Sequence, residues 1–286
     1  MIADAEIALA LFLVAGGSIK EVGKSANFAA DWSVEAERLC RGFGSPRPGV
    51  ACPAALFAQP FGPRHVAVVQ VADQQAGLGF RFLVLSRDLY THSIGDPFLV
   101  GDRFPPDWSA SGELPALQWP VDASPRRTIA QLQQVLETGG SQTLLGGVQA
   151  LVDGGRLYFE RVAPAPQLIR DLWALLPNSS RAELWPATFA YSNDLGFDVL
   201  VLPMRPIPGG PAPAGTDRYV TEEQVVDYPE GRYEFSLQYA VEHDQQRELD
   251  RLLNRPTGMR RFWLALFILI GGALTYLAIL AIGRFL

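Results

Sequence analysis

HVAVVQVADQQAGLGFRFLVLSRD, residues 65–88, holds two apolar runs, 65–73 and 78–88, joined by a polar turn that contains Gly77. Val, Phe and Leu dominate both runs, and residues of that shape suit a pleated, half-buried surface, so the stretch reads as a β-hairpin. Upstream, IALALFLVA (7–15) places Ile7, Leu9, Leu11 and Leu13 on one side of an extended chain and Ala8, Ala10, Phe12 and Val14 on the other. Both faces are apolar, as in a strand buried on both sides. The same run has the length of a signal-peptide core, but Asp4 and Glu6 precede it without a Lys or Arg, whereas an export leader needs a basic flank. It therefore reads as a first strand, with Gly16-Gly17 turning it back into SIKEVGKS as a second hairpin.

DWSVEAERLCRGF (31–43) reads as a short helix with Val34, Leu39 and Phe43 inward. Residues 89–120 carry five prolines together with Phe98, Phe104, Trp108 and Trp119, and are expected to be irregular chain packing its rings on the sheet. Residues 1–120 thus form a β-rich N-terminal domain.

From 121 to 203 the period changes to helix and strand. Ser124-Pro125 suits a helix start, since Ser caps free amides and Pro has none to lose. Ile129, Leu132, Val135 and Leu136 then share a face. Two matching units follow. Leu144, Leu145, Val148, Leu151 and Val152 form a helix face before the strand RLYFE, and Leu168, Ile169, Leu172, Leu175 and Leu176 form another before strands at 183–191 and in FDVLVLP. Trp173, Trp185, Phe189 and Tyr191 belong to the core of this α/β unit. The predicted fold class is α+β: a β-rich half with hairpins, then two helix-strand units with helices layered on a sheet.

PMRPIPGGPAPAGTD (203–217) has five prolines and three glycines in 15 positions, a composition that packs poorly, so 204–230 reads as a linker closing the folded body. An amphipathic stalk helix is expected over 231–258. Residues 262–283 are 22 consecutive residues without a charge, about 33 Å as a helix against a hydrocarbon core of about 30 Å. They predict a single C-terminal transmembrane helix, a tail anchor in the lipid bilayer. Arg247, Arg251, Arg255, Arg260 and Arg261 precede it and Arg284 alone follows, which orients the N-terminal domain to the cytoplasm. Gly271, Thr275, Ala278 and Ala281 form a strip of small residues through which two spans can pair, and the stalk offers a second route to a homo-oligomer.

Composition narrows function. A net charge of −6 and a pI near 5.2, with no basic stripe interleaved with aromatics, argue against nucleic-acid binding. Cys40 and Cys52 are too few for a disulfide framework and lack CxxC spacing, which fits a reducing compartment. Lys20 and Lys24 are the only lysines, and the Arg, Ala, Gly and Pro bias resembles that of a GC-rich bacterial genome.

The motif nearest to recognised chemistry is LFLVAGGSIKEVGKS. A phosphate-binding loop needs Gly, four residues, then Gly-Lys-Ser, and Ser18 stands where that first Gly is required. His65, His92 and His243 have no second His or Cys at metal-ligand spacing. RDLYTHSIGDPFLVGDRFPPD brings Asp88, His92 and Asp96, with Asp102 and Asp107, onto one expected loop, where a carboxylate and an imidazole can act as an acid-base pair. Asp is also a common turn and capping residue beside Gly and Pro. The expectation is therefore no catalytic, cofactor or metal site, with a membrane-tethered hydrolase using Asp88, His92 and Asp96 as the alternative.

The order helix, LLGGVQALVDGGRLYFE, then LIRDLWALLPNSSRAELWPATFAYSN resembles the middle region of bacterial GTPase-associated adaptor proteins over residues 124–203, with the β-rich 5–120 in the place of that family's N-terminal domain. The resemblance implies a non-catalytic adaptor or scaffold whose protein partner is a GTPase or another effector, and no catalytic residues to carry over. With the anchor, it predicts recruitment of that partner to the cytoplasmic membrane face.

Overall fold

The computed structural model describes residues 5–120, 126–204 and 213–255. β1 (Glu6–Ala15) is buried from Ile7 to Phe12, as its two apolar faces require. Gly16 and Gly17, both at positive φ (57° and 81°), turn it directly into β2 (Ser18–Ser25), the left-handed geometry a two-residue hairpin loop needs. α1 (Trp32–Gly42) follows, then β3 (Ala55–Phe61), β4 (His65–Gln74) and β5 (Gly77–Ser86). The β4–β5 hairpin is the one read from residues 65–88. α1 buries Ala36, Leu39 and Cys40, with Phe43 just beyond its end, and leaves Val34 74% exposed, so Val34 is not an inward residue.

Residues 89–120 are more regular than expected. They begin within a short helical segment, α2 (Arg87–Leu89) and a π-helical turn (Tyr90–Ile94), and continue through α3 (Pro97–Arg103), β6 (Gly112–Leu114) and β7 (Leu117–Gln118). α3 starts on Asp96, whose side chain accepts from Phe98 N at 2.9 Å, with Pro97 at its first position. Seven residues are too few to reveal a helical period in the sequence. Arg81 and Gln70, neighbours across β4 and β5, hold the end of this helix. The guanidinium donates to Gln70 Oε1 (2.7 Å) and to the Phe104 carbonyl (2.6 Å), and Gln70 Nε2 donates to the Gly101 carbonyl (3.1 Å).

α4 (Ile129–Thr138) opens on Thr128, which forms a reciprocal capping box with Gln131. The expected start at Ser124-Pro125 lies outside the described residues. α5 (Ser141–Val152), β8 (Leu157–Arg161), α6 (Pro166–Leu175), α7 (Asn178–Glu183), β9 (Pro186–Ala187) and β10 (Val199–Pro203) realise the two helix-strand units, although the strand expected at 183–191 shrinks to two residues. Trp173, Phe189 and Tyr191 are buried and Trp185 is half-buried. Beyond the Pro-rich stretch come β11 (Val220–Thr221), α8 (Glu222–Val226), α9 (Arg232–Glu242) and α10 (Gln246–Leu253).

These strands form one mixed 11-stranded sheet in the order β11-β8-β10-β9-β3-β4-β5-β1-β2-β6, with β7 on β1. β3, β4, β5, β1 and β2 pair antiparallel, whereas β9, β10, β8 and β11 pair parallel. The class is mixed α/β with one sheet, not a β domain followed by a separate layered unit. β3 and β9 join the two parts. Phe57 faces Ala187, Thr188 N donates to the Leu56 carbonyl (2.9 Å), and Leu56 N donates to Thr188 Oγ1 (2.8 Å).

The expected stalk is instead two short helices docked on the body. Tyr233, Leu237, Ala240, Val241, Leu249, Leu252 and Leu253 are buried. Tyr233 Oη donates to the Leu175 carbonyl (2.7 Å), Gln133 Nε2 to Val241 O (3.2 Å), and Gln246 bridges Ile129 N and Arg127 O (both 3.0 Å). The polar run EHDQQRE breaks the helix. Asp244 takes φ 52°, and Gln245 N reaches back to Ala240 O at 2.8 Å, the 6→1 bond of a left-handed helix terminus. The folded body therefore continues past the linker to Asn254.

Among the described residues no helix is long and apolar enough to cross a membrane. The longest, α5, has 12 residues, about 18 Å against the roughly 30 Å required. This corrects the expectation of a stalk leading to a tail-anchored, single-pass protein with a cytoplasmic body. The span at 262–283, with Gly271, Thr275, Ala278 and Ala281, lies outside the described residues.

Thr188→Val keeps the shape of the side chain but leaves the buried Leu56 N–H without its acceptor, and is expected to cost about 1–3 kcal/mol, while Thr188→Ser costs much less. Urea unfolding followed by circular dichroism measures both.

Candidate functional site

The segment after β5 builds one wall of a cleft of about 730 Å³ between the π-helical turn, α3, α4, α6 and α10. Ser86 caps its start by accepting from Leu89 N (3.2 Å), and Gly95, at φ 57°, closes the π turn by donating to Tyr90 O (2.7 Å). Tyr90 is fully buried against Trp185, with ring centroids 6.1 Å apart, and burial pushes its hydroxyl above the ordinary tyrosine range.

His92 and Asp96 line this cleft, while Asp88 stands exposed outside its lining. The imidazole Nδ1 of His92 meets the backbone carbonyl of Asp88 at 3.2 Å, one helical turn away. Asp96 divides its carboxylate between the cap of α3 and an ion pair with Arg181. That pair is largely shielded from water, with side chains 9% and 14% exposed. Burial lowers the Arg181 guanidinium to about 10. The contacts of His92 and Asp96 thus hold the turn and the helix start in place.

Four arginines surround the cleft, each engaged by the protein. Arg126 pairs with Asp250, and Arg170 grips Asp102 through two bonds of 2.6 Å while lying 4.9 Å over the Phe98 ring. Arg127 donates to the carbonyls of Ala174 (2.7 Å) and Leu176 (2.5 Å) and to Asn178 Oδ1 (2.5 Å). It thereby caps the end of α6, where free carbonyls and the helix dipole favour a cation. Burial brings it down to about 10. Asp171 is different. It is 4% exposed, accepts from Gln167 Nε2 at 2.7 Å, and among the described residues pairs with no cation. Burial raises its pKa above the usual carboxylate value.

The remaining candidates lie apart. Lys24 and Ser25 of the GKS run belong to β2, where Ser25 Oγ accepts from Leu9 N at 2.8 Å and Lys24 pairs with Glu21 at 3.0 Å. Cys40 and Cys52 are free and buried, and burial pushes the Cys52 thiol up to about 12 and that of Cys40 higher still. Such thiols carry little thiolate at neutral pH. His65 packs its ring against Trp32 at 4.6 Å, and His243 stacks on Tyr239 at 4.1 Å. Among the described residues no group of three or more His, Cys, Asp or Glu gathers as a metal would require.

Sequence reasoning found His92 and Asp96 but missed Arg127, Arg170, Asp171 and Arg181, because the cleft gathers side chains from segments far apart in the chain. Asp171 did leave a signal. It falls three residues after Leu168 and four before Leu175, on the apolar face of α6, where a carboxylate is out of place.

Compared with known proteins, the chain matches no protein-family model and no curated protein sequence.

Because the folded-state pKa of Asp171 is raised, folding favours its protonated form. The native state is fully favoured below the ordinary carboxylate pKa near 3.8 and loses that advantage as pH rises through the folded value. Asp171→Asn, which keeps the acceptor for Gln167, should therefore raise Tm at pH 7 and change it little near pH 3.5, as differential scanning calorimetry at the two pH values would record.

Proposed function

We propose that this protein is a non-catalytic adaptor that holds a protein partner, with a GTPase or another effector as the partner class implied by the resemblance over residues 124–203. The observation that carries the reading is the outer face of α9. Phe235 is 67% exposed and Tyr239 43% exposed, and exposed His243 stacks on Tyr239, so three rings stand at i, i+4 and i+8 along one stripe. Large aromatic side chains left in water at helical spacing are the residues that dominate binding energy when a partner covers them.

The helix beneath the stripe is fixed by its opposite face. Tyr233, Leu237, Ala240 and Val241 are buried, and Glu234 N donates to Gln149 Oε1 at 3.0 Å. A stripe carried on so well-seated a helix loses little freedom on binding. The chemistry elsewhere is consistent with this reading: Asp96 and the cleft arginines hold the fold, and both thiols are suppressed by burial. A hydrolase using Asp88, His92 and Asp96 remains the reading to test against it, since His92 and Asp96 border the same cleft.

Affinity capture from native cells, quantified by mass spectrometry, compares the full chain with its Phe235→Ala/Tyr239→Ala variant. Loss of a hot-spot pair should reduce capture of a GTPase or effector by about tenfold or more, with the melting curve unchanged. Equal capture by both proteins would overturn the reading, as would hydrolysis of p-nitrophenyl esters or phosphates by the purified chain that His92→Ala abolishes.

A further inference from the structure

Of the carboxylates that line the cleft, Asp171 is the one that pairs with no cation among the described residues. Every arginine around it is held elsewhere: Arg126 by Asp250, Arg127 at the end of α6, Arg170 by Asp102 and Arg181 by Asp96. A carboxylate 4% exposed and met, among the described residues, by a single amide hydrogen bond is costly to keep ionised. A Cβ placed on Gly139 would lie 3.1 Å from Asp171 Oδ2, so the carboxylate sits where α4 ends and α5 begins. A cation seated on Asp171 would supply the countercharge that the described residues do not.

The walls narrow the choice of cation. Leu132, Val135 and Ala174 supply apolar lining to the same cleft, and Gln134, Thr138 and Gln167 supply polar side chains. Thr138 Oγ1 donates back to Gln134 O at 2.7 Å, which leaves the lone pairs of its hydroxyl oxygen free to accept. A cleft lined by apolar side chains together with a carboxylate and a hydroxyl suits a methylene stem that ends in an ammonium group.

We propose that this cleft binds an alkylammonium group, its stem along Leu132, Val135 and Ala174 and its charge on Asp171 at the end of α4. Such a group has two sources, a lysine side chain presented by a protein partner or a free polyamine. The first deepens the adaptor reading and rests on it for its source. Binding of a small amine does not, so the two can fail separately.

Isothermal titration of the full chain at pH 8 uses Nα-acetyl-lysine N-methylamide, the matching norleucine compound and cadaverine. At least one amine should bind about tenfold more tightly than the norleucine compound, and Asp171→Asn should remove that preference while Asp88→Asn, outside the cleft, should retain it. Tighter binding of the lysine compound than of cadaverine assigns the site to a peptide lysine, and the reverse assigns it to a free polyamine. Equal binding of the norleucine compound, an unchanged preference in Asp171→Asn, absence of amine binding, or equal competition by sodium ions would each overturn the proposal.

Discussion

A two-residue contact between β3 and β9 makes one sheet of two differently built halves. On one side hairpins pair antiparallel, and on the other helix-connected strands pair parallel. The strands meet at Phe57 and Ala187, and Thr188 completes the seam by donating its backbone N–H to the Leu56 carbonyl and accepting from Leu56 N on its hydroxyl oxygen. Thr188 is fully buried, so neither group can turn to water. A buried amide left unsatisfied costs as much as several favourable surface contacts contribute. That constraint fixes where the C-terminal half sits against the N-terminal half.

The cleft inherits its geometry from this seam. One wall, the π turn and α3, hangs from β5 and is held by Arg81 and Gln70 of the antiparallel half. The opposite walls, α4 and α6, belong to the chain that builds the parallel half. Buried Arg181 on α7 reaches across to Asp96 at the start of α3 and ties the two sides together. α9 and α10 then close over α4, α5 and α6 through Tyr233, Gln133 and Gln246, and this carries the aromatic stripe to the surface. The stripe and the cleft are thus two readouts of one packing arrangement.

Much of the antiparallel half was legible, because β1, β4 and β5 carry long apolar runs bounded by Gly turns, and a local hairpin needs no distant information. The apolar spacing of α5 and α6 was equally readable. What failed was what depends on tertiary partners. Val34 has the right residue type for a core but lies on the outer face of α1, and the Tyr233 to Asn254 pattern fits a continuous helix until Asp244 adopts a left-handed turn and both halves dock. The short β9 strand and α3 are below the length at which a period can be seen. Of the cleft, the local cluster of His92 and Asp96 and the misplaced carboxylate of Asp171 on the apolar face of α6 were legible, whereas Arg127 and Arg181 become their neighbours only through the seam.

Native-state hydrogen exchange tests the central claim most directly, since a single sheet joined at Thr188 should open as one cooperative unit. The amides of Val68 and Leu83 in the antiparallel half and of Leu200 and Val201 in β10 should exchange with the same opening free energy, within about 1 kcal/mol of the global value. Exchange of Leu200 and Val201 at a distinctly lower free energy, while Val68 and Leu83 stay protected, would mean two independently folding halves and would contradict the account.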